Sequence, residues 1–317
     1  MKKTVIVTSL VALLSLGAAL PAQAAAKKEV GVLQLVEHAS LNASYKGFKK
    51  GLAAGGYKEG KNLKLDYQNA QNSQDNLKSM SDKLVKEKPD LLLGIATPAA
   101  QSLLNATQDT PIVVTAVTDL KAAKLVDSNQ KPGGNVTGTT DMVPIKKQID
   151  LLLSIKPKAK TIGIMYNAGE SNSKLQAKEA QKVLKKAGVK VKVKTANTTN
   201  DVQQVTETLA EQTDGIYIPT DNTFASAAAV IGEVAKEKKT PIVAGSVDQV
   251  KDGGLATYGI DYEKLGEQTG KMAAKILDGK AKPAELSVEK AKDLKLVINK
   301  EMAKALDIDP STIKAPK

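Results

Sequence analysis

Two hydrophobic periodicities alternate along this chain. Short apolar runs such as Val30–Val36 and Leu91–Ile95 predict strands, and the unbroken second run is typical of a parallel sheet buried on both faces. Between such runs, apolar residues recur every three or four positions. One example follows Ser40, the predicted N-cap, and ends at Gly55. The alternation predicts an α/β protein whose sheets are covered by helices.

The same pattern restarts in the second half of the chain, after a Gly-rich segment at residues 133–138. The predicted strands are completed by Leu63–Tyr67, Ile112–Thr115, Thr161–Met165, Val189–Lys194, Gly215–Ile218, Ile242–Ala244, Gly254–Ile260 and Leu294–Ile298. The predicted helices are completed by Asp75–Glu87, Pro98–Ala106, Ser173–Lys186, Val202–Gln212, Thr223–Lys238 and Tyr262–Leu277.

Two successive βα series predict two doubly wound parallel-sheet lobes joined by three hinge crossovers, with a cleft between them. We expect lobe 1 to comprise residues 27–140 and 258–284, and lobe 2 residues 141–257 and 285–317.

Residues 1–24 have the pattern of a secretion signal. Lys2 and Lys3 precede an apolar run from Thr4 to Leu20, and the segment closes on a small-x-small pattern before Ala25. We expect cleavage near Ala25; an uncleaved N-terminal anchor is the alternative. We therefore expect a protein secreted across the inner membrane, periplasmic or at the cell surface. A lipid-anchored cysteine is excluded because the chain contains no Cys.

Composition narrows the class of function further. The formal charge is +12, and all 46 basic residues are lysines. Nucleic-acid binding is disfavoured because Arg, which makes bidentate base and phosphate contacts, is absent. The lysines are spread along the sequence, which is typical of a solvated surface with weak affinity for an anionic envelope. Thiol chemistry is excluded, and a single His makes a zinc site improbable.

Polar residues follow the predicted strands, at the edge of a parallel sheet where ligands bind. The candidates in the first half of the chain are Glu37, His38, Ser40, Thr97, Pro98, Ala99, Thr118 and Asp119. Those in the second half are Asn167, Glu170, Ser171, Asn172, Thr220, Asp221, Asn222, Ser246 and Asp248.

The segment Thr97-Pro98-Ala99 has the chemistry of an anion site. Thr97 is suited to capping a helix and Pro98 to its first position, which leaves backbone amides facing the cleft. A ligand carboxylate would fit there, and an ordinary capped helix is the alternative.

Asp221 and Glu170 are the acidic candidates of the second half. Either carboxylate would pair with an α-ammonium group through charge-assisted hydrogen bonds. The alternatives are a helix N-cap for Asp221 and a solvated loop acid for Glu170. His38 either lines the cleft or caps a turn. An anion site facing acids predicts a zwitterionic amino acid held between the lobes.

Five segments in order resemble the extracytoplasmic solute-binding proteins of ABC importers, in the branch that binds tryptophan and other aromatic amino acids. They are VGVLQLVEHASLNASYKGFKKGLAAGGYKEGKNLKLDYQNAQ, PDLLLGIATPAAQSL, PIVVTAVTD, GGNVTGTTD and GIYIPTDNTFASA. The resemblance implies the type I periplasmic-binding-protein fold, an aromatic amino acid in the cleft, and a permease with its ATPase as partners.

The resulting hypothesis is a non-catalytic, monomeric binding protein without cofactor or metal. It assigns the ligand carboxylate to Thr97, the ammonium to Asp221 with Glu170 or Asp119, and the side chain to Leu41 and Phe224. A sugar- or nucleoside-binding protein of the same fold is the alternative, disfavoured by the absence of Trp. A secreted hydrolase lacks a visible nucleophile–base pair, and a repressor would need a DNA-binding headpiece where the signal stands.

Overall fold

The structure, a computed structural model, describes residues 27–292 and 294–316. Its strands are β1 Lys28–Gln34, β2 Leu63–Asn69, β3 Leu91–Ile95, β4 Ile112–Val117, β5 Val136–Thr140, β6 Thr161–Tyr166, β7 Lys190–Thr195, β8 Gly215–Ile218, β9 Ile242–Ala244, β10 Ala256–Ile260, β11 Glu289–Lys290 and β12 Leu294–Ile298. Its α-helices are α1 Ala39–Ala54, α2 Gln74–Lys86, α3 Thr97–Ala106, α4 Ile145–Ile155, α5 Ser171–Lys186, α6 Val202–Gln212, α7 Asn222–Ser226, α8 Ala228–Glu237, α9 Val247–Asp252, α10 Tyr262–Leu277 and α11 Lys300–Ala305.

Two six-stranded sheets define two lobes. The sheet of lobe 1 has the order β11-β5-β4-β3-β1-β2, and that of lobe 2 has the order β12-β10-β9-β8-β6-β7. All pairs are parallel except β10 with β12, which is antiparallel. The predicted architecture of two doubly wound α/β lobes is thereby confirmed.

The sheet pairing shows that the second and third crossings between the lobes occur later in the chain than expected. β10 belongs to the sheet of lobe 2, so the chain returns to lobe 1 after Ile260 and not before residue 258. β11 pairs with β5, so lobe 1 extends to Lys290 and not to residue 284. The expected signal segment, residues 1–24, lies outside the described residues.

Strand burial follows the sequence pattern. Every residue of β3 and β4 is buried, because helices cover both faces of the lobe 1 sheet. In contrast, β7 is an edge strand with mostly exposed side chains. The apolar runs thus identified the centre of each sheet.

Helices α1 and α10 approach so closely that glycine is required between them. A Cβ on Gly47 would lie 1.9 Å from the carbonyl oxygen of Glu263, and one on Gly266 1.9 Å from that of Ser44. This contact fixes the position of α1 on lobe 1, and α1 begins at the cleft.

Several elements differ from the sequence prediction, and α4, α9, α11 and β11 were not predicted from it. The segment expected to be only a link contains β5, whose Thr- and Gly-rich sequence has no apolar run. The helix predicted from Thr223 to Lys238 is divided at Ala227 into α7 and α8. The predicted N-caps Ser40 and Thr97 are wrong, because both lie inside their helices.

Candidate functional site

A cavity lies between the carboxyl edges of the two sheets, and both lobes contribute to its lining. Lobe 1 and the first crossing contribute residues from α1, β4, the end of β5 and the start of α10. Lobe 2 contributes residues from α5, the β8–α7 junction and α9. The lining residues are His38, Ser40, Leu41, Ala116, Thr118, Asp141, Asn172, Thr220, Asp221, Asn222, Ala225, Ser246, Gln249 and Tyr262.

Helix α1 presents an uncapped N-terminus to this cavity. His38 precedes the helix, and its side chain makes no capping hydrogen bond. The first amide bonded within the helix is that of Asn42, which donates to the His38 carbonyl at 3.0 Å. The amides of residues 39–41 therefore form a positively polarised end suited to an anion.

Asp141, which sequence reasoning missed, has one unused carboxylate oxygen. Its Oδ2 accepts a hydrogen bond from the Tyr262 hydroxyl at 2.7 Å, and the residue is 3% exposed. Its Oδ1 is buried and accepts no hydrogen bond from the described residues. Burial raises the pKa of this carboxyl, since nothing compensates its charge fully. Such an atom is a suitable acceptor for a ligand cation.

Asp221 uses both carboxylate oxygens within lobe 2. Its Oδ1 accepts from the backbone amide of Phe224 at 2.9 Å, and its Oδ2 from that of Asn167 at 2.6 Å. Asp221 is thus the N-cap of α7, the alternative that the sequence left open, and it also lines the cavity. Burial, followed by the negative charge of Glu170, raises the pKa of Asp221 to about 8.

Glu170 is buried, so its alternative as a solvated loop acid is wrong. Its Oε2 accepts from the side-chain amides of Asn222 at 2.5 Å and Asn172 at 3.2 Å, and also from the Asn222 backbone. Its Oε1 accepts from the backbone and hydroxyl of Thr223. Burial raises the pKa of Glu170. The residue orders the strand–helix junction behind Asp221 and does not line the cavity itself.

The electrostatic balance of the site favours a positively charged ligand group. Three buried carboxyls, Asp141, Glu170 and Asp221, lie at or next to the cavity, and none forms an ion pair with a described lysine. His38 does not supply the missing charge, because burial lowers its pKa. A buried carboxylate without a cation is costly, so a ligand ammonium would stabilise this arrangement.

The lobes contact each other directly around the cavity. His38 Nε2 lies 3.2 Å from Asn222 Oδ1, and the Ser40 hydroxyl donates to Asp248 at 3.0 Å. Deeper in, Thr118 bonds to both Thr220 and Gln176 across the cleft, at 3.2 and 3.0 Å. These hydrogen bonds hold the two lobes in a closed arrangement.

The structure brings together only part of the predicted site. The predicted residues that line the cavity are His38, Ser40, Leu41, Thr118, Asn172, Thr220, Asp221, Asn222 and Ser246. Residues Asn167 and Asp248 bond to the lining or across the cleft. Glu37 is exposed beside the cavity, whereas Phe224 is fully buried in the core of lobe 2.

The predicted anion site lies apart from this cavity. Thr97, Asp119 and Ser171 line a second space between the lobes, which Asn172 also borders. Pro98 lies in the first turn of α3 as predicted but faces a surface groove. Ala99 is buried in the core. Thr97 does not cap α3, and its buried hydroxyl has no partner among the described residues.

Sequence reasoning missed Ala116, Asp141, Ala225, Gln249 and Tyr262. Asp141 directly follows β5 and Gln249 lies in α9, two elements that the apolar pattern did not reveal. Tyr262 begins a predicted helix directly after a crossing between the lobes, and this position could have identified it as a site residue. In residues 27–292 and 294–316, no group of His, Asp or Glu side chains is arranged to hold a metal ion.

Two lobes closed over an interlobe cavity at the carboxyl edges of their sheets define a hinged ligand-binding protein. The family described as "ABC transporter substrate binding protein" matches residues 29–312. The chain belongs to this family. No helix of the described residues combines the length and apolarity that spanning a membrane requires.

Two relatives are similar over most of the chain. A tyrosine-binding protein from Clostridioides difficile (strain R20291) is 44% identical over 282 residues, which cover 89% of this chain and 81% of the relative. A domain from Streptococcus pneumoniae, solved in complex with L-Trp, is 40% identical with a TM-score of 0.86, covering 92% of this chain and 99% of that one.

A third comparison bears on conformation. The ligand-free, open structure of a substrate binding protein with adhesive properties from Clostridium difficile is 42% identical and covers 92% of this chain and 98% of its own. Its TM-score is only 0.70, below the 0.86 of the L-Trp complex at nearly equal identity. Together with the interlobe hydrogen bonds, this difference shows that the chain adopts the closed arrangement.

Proposed function

We propose that this protein captures an aromatic L-amino acid, Trp, Tyr or Phe, and delivers it to an ABC permease and its ATPase. The observation that carries the proposal is the polarity of the cavity. It offers an unused carboxylate oxygen on Asp141 and an uncapped helix N-terminus on α1. An α-amino acid is the common metabolite class that carries a matching cation and anion on one carbon atom.

In the proposed pose, the ligand ammonium bonds to Asp141 Oδ1, with Asp221 contributing negative charge from the opposite wall. The ligand carboxylate accepts from the α1 amides near Ser40. This pose differs from the sequence hypothesis, which used Thr97 for the carboxylate. The ligand side chain packs against Leu41 and Tyr262, which are buried in the lining.

The relatives support the aromatic class. One relative that is 44% identical is named a tyrosine-binding protein, and one solved structure that is 40% identical holds L-Trp. We extend this preference to the present chain as part of the proposal. We also propose that the protein works outside the cytoplasm without catalysing a reaction, with residues 1–24 as its export signal.

The absence of Trp from the chain allows a direct test. The protein is unfolded and refolded to remove carried-over ligand. It is then titrated into L-Trp, with excitation at wavelengths that tyrosine does not absorb. We expect a saturable change in indole emission that L-Tyr and L-Phe reverse by competition and that D-Trp does not produce. An unchanged emission at every protein concentration would exclude tryptophan as a ligand.

Ligand-induced stabilisation provides a second readout for all three amino acids. Free ligand at about 100 times its Kd should stabilise the folded protein by about 2.7 kcal/mol. A thermal-unfolding series with Trp, Tyr, Phe and Leu therefore ranks them. A larger shift with a sugar or nucleoside than with any amino acid would contradict the proposal.

A further inference from the structure

Lobe 2 carries a dense group of lysines at the edge of its sheet opposite the cavity. Residues 156–160 (KPKAK) join α4 to β6, and residues 185–190 (KKAGVK) lead from the end of α5 into β7. Neither segment contains an acidic residue. We call this group the lysine edge; it consists of Lys156, Lys158, Lys160, Lys185, Lys186 and Lys190.

The fold brings the two segments together. Strands β6 and β7 run parallel, with Thr161 opposite Lys190, and the Lys190 amide donates to the Lys160 carbonyl at 2.9 Å. Helices α4 and α5 each lead into a strand of the same parallel sheet, so both end at its amino edge. Lysines that are spread along the sequence thus form one surface.

These lysines are exposed and not neutralised. All but the half-buried Lys156 are exposed, and none forms an ion pair within the described residues. The acid beside them is Asp214, which accepts the backbone amides of Lys160 and Thr161 at 2.7 and 2.9 Å. These hydrogen bonds and the nearby lysine charges lower the pKa of Asp214. Asp214 thus contributes one negative charge beside the group, and no ion pair within the described residues offsets the charges of the six lysines.

Some other lysines at the amino edges of the sheets are paired. At the end of α8, Lys238 pairs with Glu211 and Lys239 with Asp307. At the corresponding edge of lobe 1, Lys28 pairs with Asp90. Acidic residues also stand in the lysine-containing segments before β2 and β3, namely Glu59, Glu87 and Asp90. The lysine edge differs from these sites because neither of its segments contains an acid.

Ordinary structural roles explain only part of the group. Lys185 and Lys186 complement the negative end of the α5 dipole, and Lys156 is the C-cap of α4. Lys190 protects the exposed edge strand β7 from pairing with other chains. None of these roles applies to Lys158 and Lys160, which lie in the α4–β6 connection next to a strand inside the sheet.

We propose that the lysine edge docks the protein on a bilayer surface that carries anionic lipids. Clusters of four to eight lysines favour such surfaces, and each lysine near the surface strengthens binding several-fold. Lysine suits this contact because a point charge on a flexible stem needs no fixed headgroup geometry. The cavity lies at the opposite edge of the sheet, so docking leaves it free. The contact is reversible and weakens as salt increases.

The test measures binding to phosphatidylcholine vesicles with and without phosphatidylglycerol by co-sedimentation at low salt. It uses the chain from Ala25 onward, which contains every described residue and lacks the apolar run from Thr4 to Leu20. The patch variant combines Lys158→Gln, Lys160→Gln, Lys185→Gln and Lys186→Gln. The matched control changes the same number of exposed lysines in lobe 1: Lys61→Gln, Lys83→Gln, Lys86→Gln and Lys88→Gln.

We expect the wild type to bind only vesicles that contain phosphatidylglycerol. The patch variant should bind them on the order of a hundredfold more weakly, and the control variant less than tenfold more weakly. Equal losses in the two variants would show that net charge alone acts and would overturn the proposal, as would failure of the wild type to bind. Amino-acid affinity should be unchanged in both variants, which keeps this test separate from the proposed function.

Discussion

The two walls of the cavity differ in how many of their polar groups already have a hydrogen-bond partner within the protein. On the lobe 2 wall, Asp221 and the supporting Glu170 accept hydrogen bonds on every carboxylate oxygen from the residues around α7. On the other side, Asp141 keeps one oxygen unbonded and α1 is uncapped. Asp221, which is prominent in the sequence, therefore stabilises the fold, while the less conspicuous Asp141 keeps an oxygen without a partner among the described residues.

The backbone shows the same contrast. Ala116, in the lobe 1 wall, has a φ of 54°, and Ala96, just before α3, has a φ of 79°. In lobe 2 the described non-glycine residues with positive φ are Lys239 and Asp307, both away from the cavity. Left-handed backbone costs a residue with a Cβ about 1–2 kcal/mol and is often found where ligands are held. Among the described non-glycine residues with positive φ, Ala116 is the one that lines the cavity, and it lies on the wall with the unused groups.

Replacing each of the two cavity acids by its amide tests which carboxylate binds the ligand ammonium. Asp141→Asn keeps the shape of the side chain and an acceptor for Tyr262 but removes the charge. Loss of one partner from a buried ion pair costs about 3–5 kcal/mol, so amino-acid affinity should fall by roughly two to four orders of magnitude. Titration calorimetry measures this loss. Asp221→Asn, the matched control, should weaken binding less than tenfold, and the reverse ranking would reassign the ammonium to Asp221.

A second variant tests whether ligand affinity depends on the position of α1 in the lobe 1 wall. Gly47→Ala would place a Cβ 1.9 Å from the backbone oxygen of Glu263, which forces α1 and α10 apart. Overpacking of this kind costs about 1–3 kcal/mol, and ligand affinity should fall together with the melting temperature. Gly134→Ala is the control, because a Cβ there meets nothing within 4 Å. Comparable losses in both variants would contradict the close-contact explanation.

The pH dependence of ligand binding tests the ionisation state of Asp221 in the lobe 2 wall. Without ligand, the pKa of Asp221 is raised to about 8, so this carboxyl is largely protonated at neutral pH. A bound ammonium lowers that pKa, and binding therefore releases a proton. Affinity should rise as pH increases from about 6 to 8, by at most about tenfold per unit, and then level off.

Calorimetry in two buffers of different ionisation enthalpy detects the released proton directly. The sign for the ligand-free protein is opposite: protonated Asp221 favours the folded state, so stability should fall as pH rises above the ordinary carboxyl range toward 8. Proton uptake on binding, or an equally steep profile for Asp221→Asn, would contradict this account.

A glycine substitution at Ala116 tests backbone strain in the lobe 1 wall and should change stability only slightly. Ala116→Gly removes the Cβ that disfavours a φ of 54° and should change the free energy of unfolding by about 1 kcal/mol or less in the stabilising direction. Ala187→Gly, at a φ of −80°, should be neutral or destabilising. Denaturant unfolding of both variants measures the difference in stability. A loss of stability in Ala116→Gly would contradict the presence of backbone strain at Ala116.

Much of the fold follows from the apolar pattern, because strands such as β3 are buried whole and helices such as α10 bury one face. The site follows less completely. Asp221 was recognisable at a strand–helix junction, yet Asp141 was not, since VTGTTD has no apolar run to mark β5. Closure of the lobes and the pairing of β6 with β7 depend on contacts between distant segments, so the complete cavity lining and the grouping of the two lysine segments are not visible in the linear sequence.

The bond between Tyr262 and Asp141 has a consequence for the order of events during ligand capture. Asp141 lies in the first connection between the lobes, and Tyr262 directly follows the second. A hinge rotation displaces each atom in proportion to its distance from the axis, so this pair moves little while contacts such as His38–Asn222 separate. In the proposed pose, the ammonium partner is therefore in place before closure. We expect encounter at the hinge to come first and the distant contacts then to lengthen the residence time of the ligand.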